Sequence, residues 1–561
     1  MKHFQKMIAS AIIKHPLVFH QDLWFVVVLL LLCAFIFHAL PSGYWRFDDT
    51  SVILHAINSK GLDAFYKPDD WQKLSSANLT PWLTLSFKFD LWLAGLSPGF
   101  FYIHQLCSLG LVTVAMYALG RQWMSPVWSF FAVCLFLVGA PTASVAETLM
   151  TRHYLEGMLF VLLAMLAFTR SLSQQRMLLA LLGALAYALA VTAKEVYVPL
   201  VFLVLVMPPV DKVATRLRLA FPFIAVVILY IIWRRYMLGS LTGGYVSENY
   251  IFSIASVINL IDTVTHIPGF IFGSPWIWPT AFFCIVLSLS LFRNIPMLPV
   301  AVVLVFGIFL PLIPLTIFPG ISGPDRYLFL LYMVVSLTCL IAIQSVIATV
   351  KTKYLGYVIG ILSCFAMVGF SYSHTGEIAR SQQAMYQEFE VQGRFVFDAS
   401  EPQGFIPSPL VLRNYYYVTN LCGIKVKMGL RCPLALIKGL PVNQNIDKLY
   451  TYSAEQKAML DVSNKIAEET ARIESVDLSK PLFGRIALEY GTVRWLFGPY
   501  ETGQYYAASF AMGRYPVAKA GELRMPVAEI PIYIQYESPE GWITSSPLIQ
   551  VKRGHPVEWE R

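Results

Sequence analysis

Residues 23–40 read LWFVVVLLLLCAFIFHAL, a run in which His38 is the one polar side chain. A helix needs about 20 apolar residues to cross the hydrocarbon layer of a membrane, which is ~30 Å thick. The run follows a basic segment with Lys2, Lys6 and Lys14. It is longer than the apolar core of a cleaved signal peptide, and no small-residue cleavage site follows it. We therefore expect an uncleaved membrane-spanning helix here.

The composition indicates that much of the chain lies in the membrane. The 561 residues are 57% hydrophobic and 14% charged, with a mean hydropathy of +0.59. Soluble globular proteins carry about 25% charged residues, so an ordinary soluble enzyme is excluded. An intrinsically disordered chain is excluded as well, because too few residues are polar. Residues 1–371 hold 22 Lys and Arg against 14 Asp and Glu, whereas residues 372–561 hold 20 of each. We predict a membrane domain over 1–371 and a soluble domain over 372–561.

Apolar stretches predict eleven spans: 23–40, 101–120, 127–144, 155–168, 177–193, 196–207, 219–238, 277–292, 296–317, 327–347 and 354–371. The segment 251–275 is excluded because it contains Asp262, His266 and Pro268. An aspartate in the middle of a membrane is costly. We expect 251–275 to be a re-entrant or surface-lying helix on the outer side.

Basic residues then fall in the short loops on the side of the N-terminus: Arg121, Arg170, Arg176, Lys212, Arg216, Arg218, Arg293, Lys351 and Lys353. Lys and Arg in short loops are typical of the cytoplasmic side. The pattern predicts a cytoplasmic N-terminus and an external domain over 372–561. In a Gram-negative bacterium the protein would lie in the inner membrane, with this domain in the periplasm.

The segment 372–561 is predicted to be a β-rich α+β domain. Short β-rich runs lie at Tyr415–Lys427, Arg485–Phe497 and Glu529–Tyr536, the last with Ile at alternate positions and Pro531, which favours a sheet edge. Ala454–Ile473 favours a helix. Cys422 and Cys432 are the two cysteines of this domain. Outside the cytosol they could form a disulfide, and the alternative is two buried free thiols.

Charged residues collect at the predicted outer ends of the spans, in five separate regions: Arg46, Asp48 and Asp49; Glu147, Arg152, His153 and Glu156; Lys194 and Glu195; Arg234 and Arg235; and Asp325 and Arg326. If the spans form one bundle, these groups can surround one polar cavity. Arginine and lysine suit a phosphate or pyrophosphate headgroup. Paired carboxylates suit general-base catalysis or a divalent cation.

Each of these groups also has a purely structural interpretation. Asp48 and Asp49 could belong to a solvated loop or cap a helix that starts near Ser51. Arg152 and Glu156 could pair at i, i+4 spacing, while Arg234 and Arg235, and Arg326 beside Tyr327, could be interfacial anchors. Lys194 and Glu195 are adjacent, so on a helix we expect them to have different partners.

Several short motifs occur in one order: FDD at 47–49, LTPWLTLSF at 79–87, Asp90, GLSP at 95–98, FYIHQ at 101–105, TAKE at 192–195 and DRYL at 325–328. In these motifs residues 1–371 resemble membrane glycosyltransferases of the GT-C class. That class includes dolichyl-phosphate-mannose protein mannosyltransferases and bacterial enzymes that use polyprenyl-phosphate sugars. The chain departs from the tetratricopeptide-tailed members, because no 34-residue helical repeat follows residue 371.

The resemblance implies transfer of a sugar, with inversion, from a polyprenyl-phosphate donor, and a first outer loop over 41–99 that carries the catalytic Asp. Asp48 would be the general base, and Asp49 would orient it or hold a divalent metal such as Mg²⁺ or Mn²⁺ together with Asp48. Arg326, Lys194 and Arg234 would bind the donor phosphate. The cavity walls would include Glu195, Arg152, His153, Glu147 and Tyr327.

The implied partners are the lipid donor, membrane lipids and an acceptor that is a glycan, a lipid or a protein; nucleic acid is not among them. The alternatives are a polyprenyl-lipid transporter or flippase, a scaffold protein with a membrane anchor, and a ligase that uses a lipid diphosphate. A transporter is typically built from internal repeats, and none is visible here. Eleven spans are more than a scaffold's anchor needs.

Overall fold

A computed structural model describes residues 19–75, 77–206, 213–241, 254, 258, 324–349, 353–399, 403–406, 414–432, 434–436, 448–467, 476–489, 492–509, 513–524, 530–551 and 555–560. The predicted spans 277–292 and 296–317 lie outside these residues. So does the segment 251–275, apart from Ile254 and Ile258.

The helices in the described residues are α1 Phe19–Ile36, α2 Asp49–Asn58, α3 Asp63–Tyr66, α4 Pro68–Trp71, α5 Pro81–Ala94, α6 Pro98–Gly120, α7 Pro126–Leu137, α8 Ala140–Ala146, α9 Arg152–Gln174, α10 Met177–Ala193, α11 Leu200–Val206, α12 Val213–Leu238, α13 Phe329–Thr349, α14 Lys353–Asp398 and α15 Asn414–Lys427. Short 3₁₀ turns lie at Leu40–Ser42, Leu149–Thr151, Glu195–Tyr197, Pro324–Leu328 and Ser463–Lys465.

The described helices make the chain a multi-pass membrane protein. Six of them are long and apolar enough to span: His20–Ser42, Pro98–Gly120, Leu149–Gln174, Val213–Leu238, Arg326–Ser345 and Tyr354–Arg380. These coincide with six predicted spans. The predicted span 127–144 is instead the pair α7 and α8, bent by 61°. Pro141 in the first turn of α8 has no N–H to continue the helix, which explains the break. Helices α10 and α11, in the predicted spans 177–193 and 196–207, are shorter.

Two glycines allow neighbouring helices to pack closely. A Cβ atom on Gly139 would overlap the ring of Tyr332 from α13, and a Cβ on Gly157 in α9 would overlap Tyr197. The Tyr332 hydroxyl also donates to the Leu135 carbonyl at 2.8 Å. These contacts hold α13 against the α7–α8 bend and α9 against the turn after α10.

The last predicted span, 354–371, is the first part of α14, a 46-residue helix that continues to Asp398. The buried Lys425 ammonium of α15 donates to the carbonyls of Val396, Phe397 and Ala399 at 3.0, 3.0 and 2.9 Å. These carbonyls lie at the end of α14, where no further helical N–H is available to them. Residues beyond 371 therefore begin as part of the helical core.

Helix α15 contradicts the β-strand predicted at Tyr415–Lys427. The aromatic and β-branched residues of this stretch favour a strand locally. However, Tyr417, Val418, Leu421 and Ile424 recur at helical spacing, and all four are buried in the same cluster as α2 and α14. Burial of this face outweighs the local propensity.

The strands are β1 Gln403–Ile406, β2 Leu434–Leu436, β3 Lys448–Ser453, β4 Ala458–Asp461, β5 Phe483–Glu489, β6 Thr492–Gly498, β7 Gln504–Ser509, β8 Gly513–Val517, β9 Ala520–Arg524, β10 Ile530–Glu537, β11 Ile543–Ser545, β12 Ile549–Val551 and β13 Val557–Glu560. They form the sheets β2-β1-β3-β4, β11-β10-β7-β8 with β12 beside β10, and β13-β5-β6-β9. The β-rich α+β domain is confirmed, as are the strands predicted at Arg485–Phe497 and Glu529–Tyr536.

Two details of the β prediction are wrong. The helix expected over Ala454–Ile473 begins instead as a hairpin, in which Tyr450–Ser453 pairs with Ala458–Asp461. Strand pairing overrides helix propensity there; residues 468–473 lie outside the described residues. Strand β10 is not an edge strand, because it lies between β11 and β7. Its proline is tolerated because Pro531 pairs only with β12, and the pairing with β7 begins at Tyr533.

Cys422 and Cys432 form a disulfide that ties the end of α15 to the following segment, with Cα atoms 5.2 Å apart. We expect a thiol reagent applied to the denatured protein to label the peptides containing these two cysteines only after reduction. Mass spectrometry of the peptides measures this directly. Labelling of both peptides without reductant would contradict the bridge, and Cys107, which is free and exposed, serves as the internal control.

Candidate active site

The loop between the turn at 40–42 and α2 is anchored by Asp49. This residue is fully buried. Its Oδ2 accepts the Arg46 N–H at 2.7 Å, and its Oδ1 accepts the Met150 N–H at 2.6 Å. Burial raises the pKa of the Asp49 carboxyl to about 7, against the opposing effect of these two donors. Asp49 therefore fastens the loop to the turn before α9, which contradicts the expectation that it faces a cavity.

Asp48 is half-buried and has a different environment. It occupies the N-cap position of α2, but its side chain makes no capping hydrogen bond. Its carboxylate interacts electrostatically with the guanidinium of Arg326. Asp48 in the first outer loop and Arg326 in the turn before α13 therefore lie within electrostatic range of each other.

Lys194 and Arg326 approach the same aromatic ring. The Lys194 Nζ lies 5.9 Å from the Tyr327 ring centroid, and the Arg326 Cζ lies 5.4 Å from it. The Tyr154 ring, 5.5 Å from the Lys194 Nζ, stands edge-on to Tyr327. Cations over aromatic faces are attracted by the ring quadrupole. Lys194 is almost completely buried, whereas Arg326 is partly exposed, so Arg326 is the more accessible of the two cations.

Lys194 and Glu195 contact each other, contrary to the expectation of separate partners. The Lys194 Nζ lies 3.1 Å from Glu195 Oε1 and donates to Asn78 Oδ1 at 3.0 Å. Helix α10 ends at Ala193 and the Lys194 backbone is extended, so the two side chains are not constrained to helical directions. Lys194 thereby holds the first outer loop against the bundle.

His153, Glu195 and Arg234 surround this group. His153 interacts electrostatically with Lys194 and Arg326, and Glu195 with Lys194 and Arg234. Arg234 donates to the carbonyls of Leu241 at 2.7 Å and Ala77 at 3.1 Å, so it too contacts the outer loop. We call the set of Asp48, His153, Tyr154, Lys194, Glu195, Arg234, Arg326 and Tyr327 the outer cluster.

Glu147 contacts the loop that bears Asp48 through Arg46. The Arg46 guanidinium donates to the Glu147 backbone carbonyl at 2.7 Å. Burial raises the pKa of the Glu147 carboxyl, and the nearby Arg46 charge opposes this shift.

Arg152, expected to line the cavity, is fully buried and does not. It forms an ion pair with Asp90 and donates to the Phe101 carbonyl at 2.7 Å. It does not pair with Glu156, whose oxygens accept the Ser86 hydroxyl at 2.7 Å and the Trp82 indole N–H at 2.8 Å. A buried arginine needs a carboxylate, and the nearest one comes from α5.

His104 joins this second network. Its Nδ1 lies 2.6 Å from Asp90 Oδ1, and its Nε2 lies 3.4 Å from Glu156 Oε1. The network of Asp90, His104, Arg152 and Glu156 joins α5, α6 and α9, and so fixes the first turn of α9, which carries His153 and Tyr154. The motif at 101–105 contains His104, and Asp90 follows the motif at 79–87, but nothing in the sequence indicated that the two would pair.

The residues do not fit the metal site considered for Asp48 and Asp49. Asp49 is fully buried and both its oxygens already accept backbone N–H groups, while Asp48 interacts electrostatically with the Arg326 guanidinium. Across the described part of the chain, no three His, Cys, Asp or Glu side chains gather in a way that could hold a metal ion.

No family model matches this chain, and no curated protein sequence matches it. Two solved structures are similar to it. The archaeal oligosaccharyltransferase AglB from Archaeoglobus fulgidus, in complex with an inhibitory peptide and a dolichol-phosphate, has a TM-score of 0.47 and 11% identity, and the match covers 88% of this chain and 74% of that one. An Archaeoglobus fulgidus oligosaccharyltransferase tethered by a disulfide to an acceptor peptide with the NVT sequon has a TM-score of 0.43 and 11% identity, covering 89% and 74%. At these sequence identities and TM-scores, the function of this chain has to be inferred from the residues of the site.

The role of Asp49 as an anchor predicts a loss of stability on its removal. Asp49→Ala leaves two buried N–H groups without an acceptor, at about 1–3 kcal/mol each. We expect a lower apparent melting temperature in detergent, measured by the fluorescence of the tryptophans. Asp69→Ala, an exposed carboxylate of the same loop, should change stability by no more than about 0.5 kcal/mol. Equal melting of the two variants would contradict the anchor.

Proposed function

We propose that the chain is a GT-C class glycosyltransferase that moves a sugar from a polyprenyl-phosphate donor to an acceptor on the outer face of a bacterial inner membrane. One observation carries this proposal: Lys194 and Arg326 meet at the Tyr327 ring, with Nζ 5.9 Å and Cζ 5.4 Å from its centroid, and the Asp48 carboxylate lies within electrostatic range of Arg326. A base next to a phosphate-binding cation is what transfer from a lipid phosphate requires.

Arg326 is proposed to bind the donor phosphate directly. A guanidinium matches phosphate oxygens with paired N–H donors. Lys194, held by Glu195 and Asn78, adds a second positive charge. In a site with little water this field stabilises the phosphate as the glycosidic bond breaks. Because phosphate is a good leaving group at neutral pH, no strong general acid is needed.

Asp48 is proposed to remove the proton from the acceptor. Its carboxylate interacts electrostatically with Arg326. Because Arg326 is proposed to hold the donor phosphate, Asp48 would stand close to the acceptor hydroxyl that attacks the donor. Attack on the face opposite the phosphate inverts the anomeric carbon.

The pairing of Asp48 with Arg326 favours chemistry over lipid transport. A flippase needs cations that bind and release a phosphate, but it has no use for a carboxylate that competes for the same guanidinium. Transfer of labelled sugar from a polyprenyl-phosphate hexose by the purified protein in detergent separates the two, because transport cannot occur there. A lipid diphosphate offered in parallel distinguishes the ligase alternative.

We expect Asp48→Asn to lower transfer by about 100-fold or more, since the amide cannot accept the acceptor's proton. The assay is transfer of radiolabelled sugar by the purified variant. Expression and membrane insertion should be those of the unsubstituted protein, and Asp69→Asn is the matched control in the same loop. Unchanged turnover in Asp48→Asn would remove the base assignment.

Arg326→Ala is expected to raise the apparent KM for the lipid donor by about tenfold or more, because a charge-assisted contact to phosphate is lost. The KM for the acceptor should change less. Initial rates at varied donor concentration measure the effect, with the exposed Lys73→Ala as the control for a lost positive charge in the outer region. An unchanged donor KM would argue against contact between Arg326 and the phosphate.

A further inference from the structure

Arg46, two residues before Asp48, uses all three nitrogens of its guanidinium in hydrogen bonds. Its Nε and one terminal nitrogen both donate to Glu390 Oε1, at 2.9 and 2.5 Å. Its other terminal nitrogen donates to the Glu147 carbonyl at 2.7 Å. The guanidinium carbon also lies 4.5 Å from the ring centroid of Tyr386. The Arg46 and Glu390 side chains are 12% and 22% exposed, so water screens the pair weakly.

The residue between Arg46 and Asp48 has an unusual backbone. Phe47 has a φ of 44°, in the left-handed region that bulky residues rarely adopt. Such a conformation persists only when surrounding contacts hold it. The Phe47 ring packs 4.8 Å from the Phe389 ring and 5.6 Å from the Tyr386 ring, centroid to centroid. Both rings and Glu390 belong to α14.

Helix α15 holds the loop on both sides of this point. The Tyr417 hydroxyl donates to the Trp45 carbonyl at 2.7 Å, and the Asn420 amide donates to the Ser51 hydroxyl at 2.8 Å. Because Lys425 caps the end of α14, α15 and α14 act as one support. Every supporting group named so far on α14 and α15 lies beyond residue 371.

We propose that Glu390 is a positioning residue for Asp48: it holds Arg46, and with Phe389 it maintains the Phe47 backbone that presents Asp48 to Arg326. The active site is therefore completed by the part of the chain that follows the membrane domain predicted from sequence. The proposal rests on the proposed function for the role of Asp48, but the loop contacts stand independently of it.

A positioning role predicts a specific kinetic effect. Glu390 touches neither the donor site around Arg326 nor Asp48 itself in the contacts described, so its loss should displace the base without weakening donor binding. Misplacement of a catalytic group by about 1 Å can cost 100-fold in rate. We expect Glu390→Gln to lower kcat by about 10- to 100-fold and to leave the donor KM within about twofold.

The experiment uses the full-length protein in detergent and two independent measurements. Hydrogen–deuterium exchange followed by mass spectrometry reports the protection of the peptide covering 44–52. Transfer from a polyprenyl-phosphate hexose gives kcat and the donor KM. Glu377→Gln, an exposed carboxylate on the same helix, is the matched control. If Glu390→Gln does not fold, Phe389→Leu, which keeps an apolar side chain but removes the ring, replaces it in both measurements.

Faster exchange at 44–52 with a lower kcat and an unchanged donor KM supports the proposal, provided Glu377→Gln changes neither. In a double-mutant cycle, Arg46→Gln and Glu390→Gln should then be non-additive, because both remove one interaction. Unchanged exchange overturns the proposal, as does faster exchange with full kcat. If the unsubstituted protein shows no transfer, the proposed function is refuted. Faster exchange in Glu390→Gln would then still support the contact between α14 and the loop.

Discussion

Charged side chains buried in an apolar helical bundle must find partners, either an opposite charge or carbonyl oxygens, and this constraint ties the loop over 41–99 to the helices. The desolvation of an isolated charge is too costly to leave it unpaired. Arg152 forms an ion pair with Asp90, Arg46 with Glu390 and Lys194 with Glu195, while Arg326 interacts electrostatically with Asp48. Each pair joins residues from different parts of the backbone, apart from the adjacent Lys194 and Glu195, so the pairs also hold the outer loop on the bundle.

The charged groups differ in how far solvent can reach them. Asp90 and Arg152 are completely buried, and Lys194 nearly so, which leaves them no room for a ligand. Asp48 and Arg326 are half-buried and so retain access to solvent. The Asp90–Arg152 pair therefore supports the fold, and under the proposed function the phosphate and the acceptor would approach through Asp48 and Arg326.

The long helix α14 links the two halves of the chain. It starts as an apolar helix long enough to span a membrane, and its outer end carries Tyr386, Phe389 and Glu390 to the loop that bears Asp48. The chain therefore enters the β-rich domain from a helix that already packs against the loop bearing Asp48.

The amino-acid sequence by itself determined the membrane class, the positions of most spans, the β-rich tail and the set of charged residues, because hydropathy and strand alternation are local properties. It also pointed to Asp48, Lys194 and Arg326. Only the tertiary structure decided the pairing. Arg152 could have paired with Glu156 at helical spacing but forms an ion pair with Asp90, and Asp49, expected to orient Asp48 or hold a metal, is buried and accepts two backbone N–H groups. The tail segment 415–427 has strand-like composition, yet it folds as a helix because its apolar face meets α2 and α14. In each case the outcome depends on which distant surface the chain packs against, and neighbouring residues carry no information about that.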